Sequence, residues 1–396
     1  MVKHRAWGAP AVCGCDCIEN NADDSKENSD QSVGAELRPT LPLHAAALFV
    51  LASASAWTTI VTANFVCAHD LTPSPVYCRQ PMSEQLTNAR TDLLLNDAHC
   101  HFFSEGFFTK LGADPAAPTP GPARDPAQDL PAILGWDPPG SIDALADRWV
   151  SELDRHGVHR VALMSSIPGD ETSVAEAVHR HPRRLVGMFM VNPLAPDSVA
   201  RAERGFAECR LRCACLFPAM HDFAVDNDCV RTIFETAARH DGVIFVHCGF
   251  LSVGVRKKLG LPSAFDIRRG NPLSLIPIAS DFPTVPIIVP HFGAGFFREL
   301  LMAADLCPTI HVDTSSSNGW TKYIPALSLL DVYRHTLDVI GAERMLFGTD
   351  SSFFPRGWQR PVFEAQRAVV DQLGLDKKNR EALFAGNFDR VFGLAQ

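Results

Sequence analysis

The residues best suited to chemistry in this sequence are two histidines, His99 and His101, which follow the apolar run 93–95. Side chains alternate between the two faces of a strand, so residues i and i+2 project to the same side. Two imidazoles on one face at the end of a buried strand can bind one metal ion. Two ordinary surface histidines would show the same spacing, so the pair alone leaves both interpretations open.

Three further polar residues, His247, His291 and Asp350, each stand at the end of an apolar run. For any one of them, a satisfied histidine or a helix-capping aspartate is an adequate structural explanation. Five such residues at the ends of apolar runs favour one shared site for a divalent ion. Zn²⁺ is the expected metal, with Mn²⁺, Fe²⁺ or Co²⁺ as alternatives. We assign His291 as a general base or proton shuttle, and Asp350 as a ligand that also accepts a proton.

The elements that must position these residues are eight apolar runs that alternate with helical patterns. Short continuous apolar runs are typical of strands buried on both faces of a parallel sheet. Eightfold alternation of strand and helix predicts a (β/α)8 TIM barrel, whose active site lies at the C-terminal ends of the strands. The runs are 93–99, 160–164, 185–191, 212–217, 243–247, 285–291, 309–313 and 345–350.

Several helix boundaries can be predicted from capping residues. Ser141 is expected to cap a helix that stops at Gly157, and Asp226 one that runs to His240. The periodicity of Tyr323–Ile340 predicts one long helix. Segment 102–140 is rich in proline and glycine and is too long for a tight connection, so we expect an insertion over the barrel mouth.

The first part of the chain differs from the remainder. Residues 18–40 are polar, and prolines follow at 73, 75 and 81. We therefore expect residues 1–81 to be a disordered or weakly structured N-terminal extension outside the fold, and residues 82–396 to form the barrel domain. The alternative is a membrane anchor through residues 45–68, which lie in an uncharged stretch.

Composition narrows the class of partner. The net charge is -9, and the absence of a basic cluster argues against nucleic-acid binding. The 12 cysteines are scattered and form no disulfide framework, which favours a reducing cytoplasmic location. We expect a small-molecule substrate and no membrane association.

Four motifs and the C-terminal ending together resemble the amidohydrolase superfamily, and more narrowly its amidohydrolase-related branch, which includes aminocarboxymuconate-semialdehyde decarboxylase. The resemblance covers about residues 95 to 396. The motifs are Asp97–His101, Val246–Gly249, Pro290–Gly295, Leu346–Asp350 and the ending Phe384–Phe392.

The resemblance implies roles for the polar residues. The metal ligands would be His99, His101, His247 and Asp350, and His291 would act on the substrate or on water. Binuclear members carry a carboxylated lysine or a glutamate on strand four, whereas this chain has 216–219 as Leu-Phe-Pro-Ala, which favours a single ion. Members often dimerise, so a homodimer is compatible with the family.

Three residues outside the ligand set are candidates for substrate binding. Arg356 could bind a substrate carboxylate or form a surface contact with the closing helix. Trp358 could line the substrate pocket or belong to the core. Asp313 could hold the substrate or orient a ligand histidine. His221, beyond strand four, is a weaker candidate for a substrate contact.

The sequence leaves three functions open. The first is a metal-dependent hydrolase that acts on a small carbonyl or carboxylate compound through metal-activated water. The second is a nonoxidative decarboxylase of a small unsaturated or aromatic acid on the same metal scaffold. The third is a barrel that binds a metabolite without catalysis, which the five intact site positions disfavour.

Overall fold

The structure, a computed structural model, describes residues 93–114, 117, 125–315 and 318–394. Eight parallel strands form one sheet in sequential order. The strands are β1 (Asn96–Phe102), β2 (Arg160–Ser165), β3 (Leu185–Met190), β4 (Cys213–Leu216), β5 (Val243–Val246), β6 (Ile287–Val289), β7 (Ile310–Asp313) and β8 (Met345–Leu346).

Helices follow the strands around the outside of the sheet. They are α1 (Glu105–Gly112), α2 (Pro126–Leu134), α3 (Ile142–His156), α4 (Glu171–Arg180), α5 (Ser198–Ala207), α6 (Pro218–His221), α7 (Asp228–Arg239), α8 (Gly254–Lys258), α9 (Leu275–Asp281), α10 (Phe297–Leu306), α11 (Leu329–Ile340), α12 (Arg360–Gln372), α13 (Lys377–Glu381) and α14 (Asn387–Val391). A π-helical turn, Ala382–Gly386, joins the last two.

The sheet closes between its first and last strands, which confirms the predicted TIM barrel. Ala98 N donates to Phe347 O at 2.8 Å, and Asp350 N donates to His99 O at 2.8 Å. A parallel bridge between Cys100 and Ser351 continues the closure beyond the end of β8. Closure brings the start of the domain beside residues about 250 positions later in the chain, and it removes both edges of the sheet.

Apolar side chains fill both faces of the strands, as the continuous apolar runs predict. One cluster lies inside the barrel and includes Met164, Met188 and Phe245. A larger cluster between the sheet and the helices includes Trp149 and Phe234, both fully buried. Burial on both faces explains why these strands lack the alternation of a half-exposed sheet.

Capping residues predicted some helix boundaries correctly and others wrongly. Ser141 caps α3 by accepting from Ala144 N, and Gly157 ends it at a φ of 70°, as predicted. Asn227, not Asp226, caps α7, because its side chain accepts from Cys229 N.

The predicted helix over 323–340 was too long at its start. A 3₁₀ turn, Asn318–Tyr323, comes first, and α11 begins only at Leu329. Ser328 and Asp331 form a reciprocal capping box there, which satisfies the first free N–H groups more effectively than an earlier start would.

The insertion after β1 lies at the barrel mouth, as predicted. Its helices α1 and α2 share an apolar cluster with α8, separate from the barrel core. Trp136 stacks on Phe353, which follows β8, with ring centroids 4.0 Å apart. This stack ties the insertion to the loop that carries Arg356.

The opposite end of the barrel is closed by the C-terminal helix. Phe388 of α14 and Phe392, which follows it, belong to the cluster inside the barrel. Four polar residues at this end form what we call the base cluster: Asn96, Arg160, Asn387 and Asp389. Arg160 Nη1 donates to Asp389 Oδ1 at 2.5 Å, which links β2 to the last helix.

Two predictions about the first part of the chain lie outside the described residues: the extension 1–81 and the alternative anchor 45–68. Among the described residues, every helix is too short or too polar to cross a membrane. The seven cysteines of the described part are all free thiols.

Candidate metal centre

A strand irregularity decides which residues of β1 face the inside of the barrel. The register with β2 shifts between Asp97 and Cys100. Strict alternation would put Asp97 on the same face as His99, but Asp97 accepts from Trp358 Nε1 at 2.7 Å and from Thr349 Oγ1 at 2.5 Å in the outer layer. Ala98 belongs to the inner cluster. Beyond the irregularity, the rings of His99 and His101 lie together, with centroids 5.2 Å apart, as the alternation of side chains predicts.

Three of the predicted ligands lie together. One ligand atom from each of His99, His101 and Asp350 falls within 4.8 Å of the others, and we call these residues the ligand cluster. His99 is only 1 % exposed, whereas the other two are partly exposed to the mouth. A buried imidazole beside two partly open ligands is the arrangement of a site that a solute can reach.

The hydrogen bonds behind both histidines determine their tautomers. Asp313 Oδ2 lies 2.7 Å from His99 Nδ1, and an ionised carboxylate only accepts, so Nδ1 carries the proton. Ser166 Oγ lies 2.7 Å from His101 Nδ1 and donates its own hydrogen to Met164 O. His101 Nδ1 must therefore also be the donor. When each ring is neutral, its lone pair is therefore on Nε2.

These lone pairs converge on a carboxylate oxygen. His101 Nε2 lies 2.9 Å from Asp350 Oδ1, and His99 Nε2 lies 3.9 Å from the same atom. With both Nδ1 atoms protonated, all three atoms are acceptors, which repel one another unless a proton or a cation lies between them. Imidazole nitrogen and carboxylate oxygen are the donors that divalent zinc and its neighbours prefer. The residues present therefore fit a divalent ion.

Charge and burial act in opposite directions on the ligand cluster. Burial raises the pKa of Asp350, but the contact with His101 and any protonation of the His101, His99 and His291 rings outweigh it and hold that pKa below its usual value. Burial lowers the pKa of His99, but the Asp313 carboxylate outweighs it and raises that pKa. Asp350 thus stays ionised, as a metal ligand must.

The backbone of Asp350 is held in an uncommon conformation. Its φ is 58°, in the left-handed region that non-glycine residues rarely adopt. Its N–H bonds to His99 O, and its carbonyl accepts from Gln359 Nε2 at 3.1 Å. These bonds offset a strain of about 1–3 kcal/mol, and they aim the carboxylate at the histidine pair.

The fourth predicted ligand, His247, lies beside the ligand cluster and is not a member of it. Its ring centroid is 5.2 Å from that of His291, and its Nδ1 is buried without a hydrogen-bond partner. Burial, aided by the nearby His291 and His99, lowers the pKa of His247 well below its usual value. A neutral ring with an unpartnered buried nitrogen gains from a cation or a substrate group.

His291 lies against the ligand cluster in a form suited to accept a proton. Its ring stacks on that of His99, with centroids 5.0 Å apart. The carbonyl oxygen of Ser315 lies 3.0 Å from His291 Nδ1, which places the proton there and leaves the lone pair on Nε2. Burial lowers the pKa of His291, so the ring is neutral near pH 7.

The three predicted substrate residues take different positions. Arg356 lies at the mouth, where Nη2 donates to Asp350 O at 3.3 Å and to Ser352 Oγ at 2.6 Å. Asp313 is fully buried behind His99, the place of an orienting residue. Trp358 is 3 % exposed, and its indole N–H is used by Asp97 in the outer layer. The structure brings Arg356 to the ligand cluster and keeps Trp358 away from it.

Three supporting residues escaped the sequence-based predictions. Ser166 and Ser315 hold the histidine tautomers, and small polar residues after strands carry no signal of such a role. Gly348 lets the end of β8 approach β7, because a Cβ there would lie 2.6 Å from Asp313 Oδ1. The sequence did carry a sign of this role, because a glycine inside an apolar run often marks a close approach of two backbones. Gly348 lies in such a run, between Phe347 and Thr349.

The place of a second metal ligand is taken by an aromatic ring. Phe217 follows β4 directly, is 4 % exposed and stacks on His247, with ring centroids 5.4 Å apart. A phenyl ring offers no lone pair to a cation. Phe217 therefore supplies no ligand for a second ion, and the single ion stays a prediction.

Comparison with known proteins adds to this geometry. A family model described as amidohydrolase matches residues 96–394, which is most of the chain. This chain belongs to the amidohydrolase family. The match includes every residue of the ligand cluster, together with His247 and His291, and confirms the family that the motifs resemble.

One curated relative has significant sequence similarity over a limited region. It is a 2-keto-4-carboxy-3-hexenedioate hydratase from Sphingobium sp. (strain NBRC 103272 / SYK-6), 31% identical over 127 residues. The match covers 28% of this amidohydrolase and 35% of the hydratase, about a third of that relative's length.

Solved structures share the fold at low sequence identity. A 5-carboxyvanillate decarboxylase from Sphingomonas paucimobilis has a TM-score of 0.54 at 16% identity, over 76% of this chain and 100% of its own. A second such decarboxylase, from Novosphingobium aromaticivorans with bound manganese, has a TM-score of 0.51 at 16% identity, over 78% and 99%. An amidohydrolase from Burkholderia multivorans with bound zinc has a TM-score of 0.50 at 15% identity, over 76% and 100%. Solved structures that share this fold thus include one with manganese and one with zinc.

Proposed function

We propose that this chain is a metal-dependent hydrolase that acts on a small carbonyl or carboxylate compound. The observation that carries the proposal is the convergence of three acceptor atoms, from His99, His101 and Asp350, beside a neutral histidine with its lone pair on Nε2. Acceptors that face one another need a cation, and a neutral imidazole next to them is a general base.

The proposed ligands are His99, His101 and Asp350, with His247 as the fourth through its unpartnered ring. A divalent cation, zinc first and manganese, iron or cobalt as alternatives, would supply Lewis acidity and lower the pKa of water towards neutrality. Asp313 and Ser166 keep the two Nε2 atoms unprotonated, so that little rearrangement is needed when the ion binds.

His291 is proposed to move the proton. Ser315 holds its Nδ1–H, so its Nε2 accepts a proton from the attacking water and then returns it to the leaving group. Asp350 is the second acceptor for that proton, because its carboxylate stays ionised despite burial.

Arg356 is proposed to bind a carboxylate or carbonyl oxygen of the substrate. Its described partners are a backbone oxygen, a hydroxyl and the face of Phe353, whose ring centroid lies 4.5 Å from its Cζ. None of these is an anion, so the guanidinium keeps its charge available for a ligand.

The same arrangement of Arg356 favours a second candidate function, nonoxidative decarboxylation of a small unsaturated or aromatic acid. A carboxylate bound by Arg356 would lie beside Asp350 and could lose CO₂, with His291 managing the proton. The shared fold of the 5-carboxyvanillate decarboxylases is compatible with this candidate and shows the fold alone.

Metal content and products test the proposal together. Protein purified without chelators should hold about one ion per chain by elemental analysis, and His99→Ala should hold none. Released amine, alcohol or acid from a panel of esters, amides and lactones would support hydrolysis, and released CO₂ from carboxylates would support decarboxylation. Protein without metal after reconstitution with zinc or manganese would contradict both and favour a binding barrel.

A further inference from the structure

His221 is a half-buried histidine at the barrel mouth that the proposed chemistry does not use. It ends α6, the short helix after β4. Its N–H bonds to Phe217 O at 3.0 Å, so it lies one helical turn beyond the ring that stacks on His247. Phe217 and Met220 both pack against the cluster inside the barrel, and helical spacing puts His221 close to the same face.

The ring of His221 has no partner within the described part of the chain. No hydrogen bond or ion pair involves either ring nitrogen, and Nδ1 is buried. Burial alone lowers its pKa to about 4, so the ring is neutral near pH 7. A neutral imidazole offers one donor and one acceptor, and leaving the buried Nδ1 without a partner costs free energy.

The end of α6 contacts the segment after β5. Asp222 takes a left-handed conformation with a φ of 51° and pairs with Arg269 Nε at 3.0 Å, which ties α6 to the segment after β5. His221 directly precedes Asp222, so this contact helps to position its backbone at the mouth.

His221 and Arg356 stand on opposite sides of the mouth. They follow β4 and β8, which are four strands apart in a closed barrel of eight. A substrate that bridges the ligand cluster would therefore present one end to each residue. Arg356 suits a carboxylate, and an imidazole N–H also donates to a carboxylate oxygen.

We propose that His221 is a substrate-binding residue that donates to a second carboxylate, at the end of the substrate away from Arg356, so that the substrate is a small dicarboxylate. The inference rests on the proposed function in one respect, which is that Arg356 binds the other end of the substrate.

Binding of simple acids tests this inference without the true substrate. The affinities of malonate, succinate, glutarate, adipate and butyrate would be measured by calorimetry, on zinc-loaded and on chelated full-length protein. One dicarboxylate should bind at least about 10-fold tighter than butyrate. His221→Phe should remove that preference, and His221→Gln, which keeps an N–H donor, should restore part of it.

His179→Gln, at an exposed histidine of α4, is the control and should bind like the wild type. Wild-type protein without a preference for any dicarboxylate over butyrate would overturn the inference, as would a His221→Phe variant that keeps the preference or weakens all acids equally. If the proposed function is wrong, zinc will not bind to the protein. A preference for one dicarboxylate in chelated protein would still support the role of His221 in that case.

Discussion

The two ends of the barrel both bury polar groups, but they satisfy them differently. In the base cluster, most donors meet acceptors: Asp389 Oδ1 accepts from Arg160 and from Asn96 Nδ2, and Asn387 Nδ2 donates to the carbonyls of Ala342 and Met345 at 2.8 and 2.7 Å. Asn96 Oδ1 is the exception, because it is buried without a partner. In the ligand cluster at the mouth, acceptors meet acceptors, and Asp350 Oδ1 faces two imidazole lone pairs.

This difference separates a structural polar cluster from a functional one. A buried network whose members satisfy one another stabilises the fold and requires nothing else. A buried network with excess lone pairs is stable only when something external supplies positive charge. The same residue type, aspartate, therefore has different roles at the two ends: Asp389 holds elements together, and Asp350 is proposed to bind a cation.

The largest expected effect comes from changing Asp350. In Asp350→Asn, the metal affinity should fall by more than about 100-fold, since loss of a ligand should exceed the loss of an outer contact. The amide can donate to His101 Nε2, so the chelated protein should keep or gain thermal stability. Zinc titration and thermal melts of chelated protein would measure both. Normal zinc binding by Asp350→Asn would contradict the idea that the ligand cluster, unlike the base cluster, needs a cation.

The pH dependence of stability should depend on His311, a buried histidine of β7. Burial lowers its pKa to about 4, so the unfolded chain binds more protons than the folded chain between about pH 4 and 6.5. Above pH 6.5 the ring is neutral in both the folded and the unfolded chain, so it does not change the free energy of unfolding. As the pH falls to 4, roughly 3 kcal/mol of the free energy of unfolding is lost. In His311→Gln, urea unfolding of chelated protein should show a shallower loss over this range. An unchanged slope would assign the acid sensitivity to the mouth histidines.

At the base, Asp389→Asn should leave the metal content unchanged. The substitution removes a charged partner from Arg160, and both side chains are largely buried, so unfolding stability should fall by about 2 kcal/mol. Denaturant unfolding of chelated protein and elemental analysis would check the pair of results. If Asp389→Asn keeps normal stability but loses the metal, the base cluster must influence metal binding at the mouth.

The smallest effect should come from Ser166→Ala, which removes the acceptor for His101 Nδ1–H. The ring can then change tautomer or rotate, so zinc affinity should fall by about 10-fold with little change in stability. Competition with a chelator of known affinity would measure it, beside Ser151→Ala on α3, whose hydroxyl bonds only to the helix backbone. Equal affinities would show that Ser166 does not hold the tautomer.

The candidate ligands could be selected from the sequence because each one lies at the end of an apolar run. His101 and Asp350 are 249 residues apart, yet barrel closure joins the first strand to the last once eight alternations are counted. The supporting contacts could not be predicted this way. Ser166, Ser315 and Gly348 act only through partners that are distant in the chain, and local patterns carry no information on such pairs.

The sequence by itself determined the (β/α)8 architecture, the insertion after β1, the Ser141 cap and the residue types able to bind a metal, because these depend on periodicity and on neighbours within a few positions. Only the tertiary structure decided which face Asp97 takes, since the irregularity in β1 depends on its pairing with β2. It also placed Trp358 behind the site and His247 beside the ligand cluster. Those positions result from packing between strands far apart in the chain, where steric fit and hydrogen bonding override local pattern.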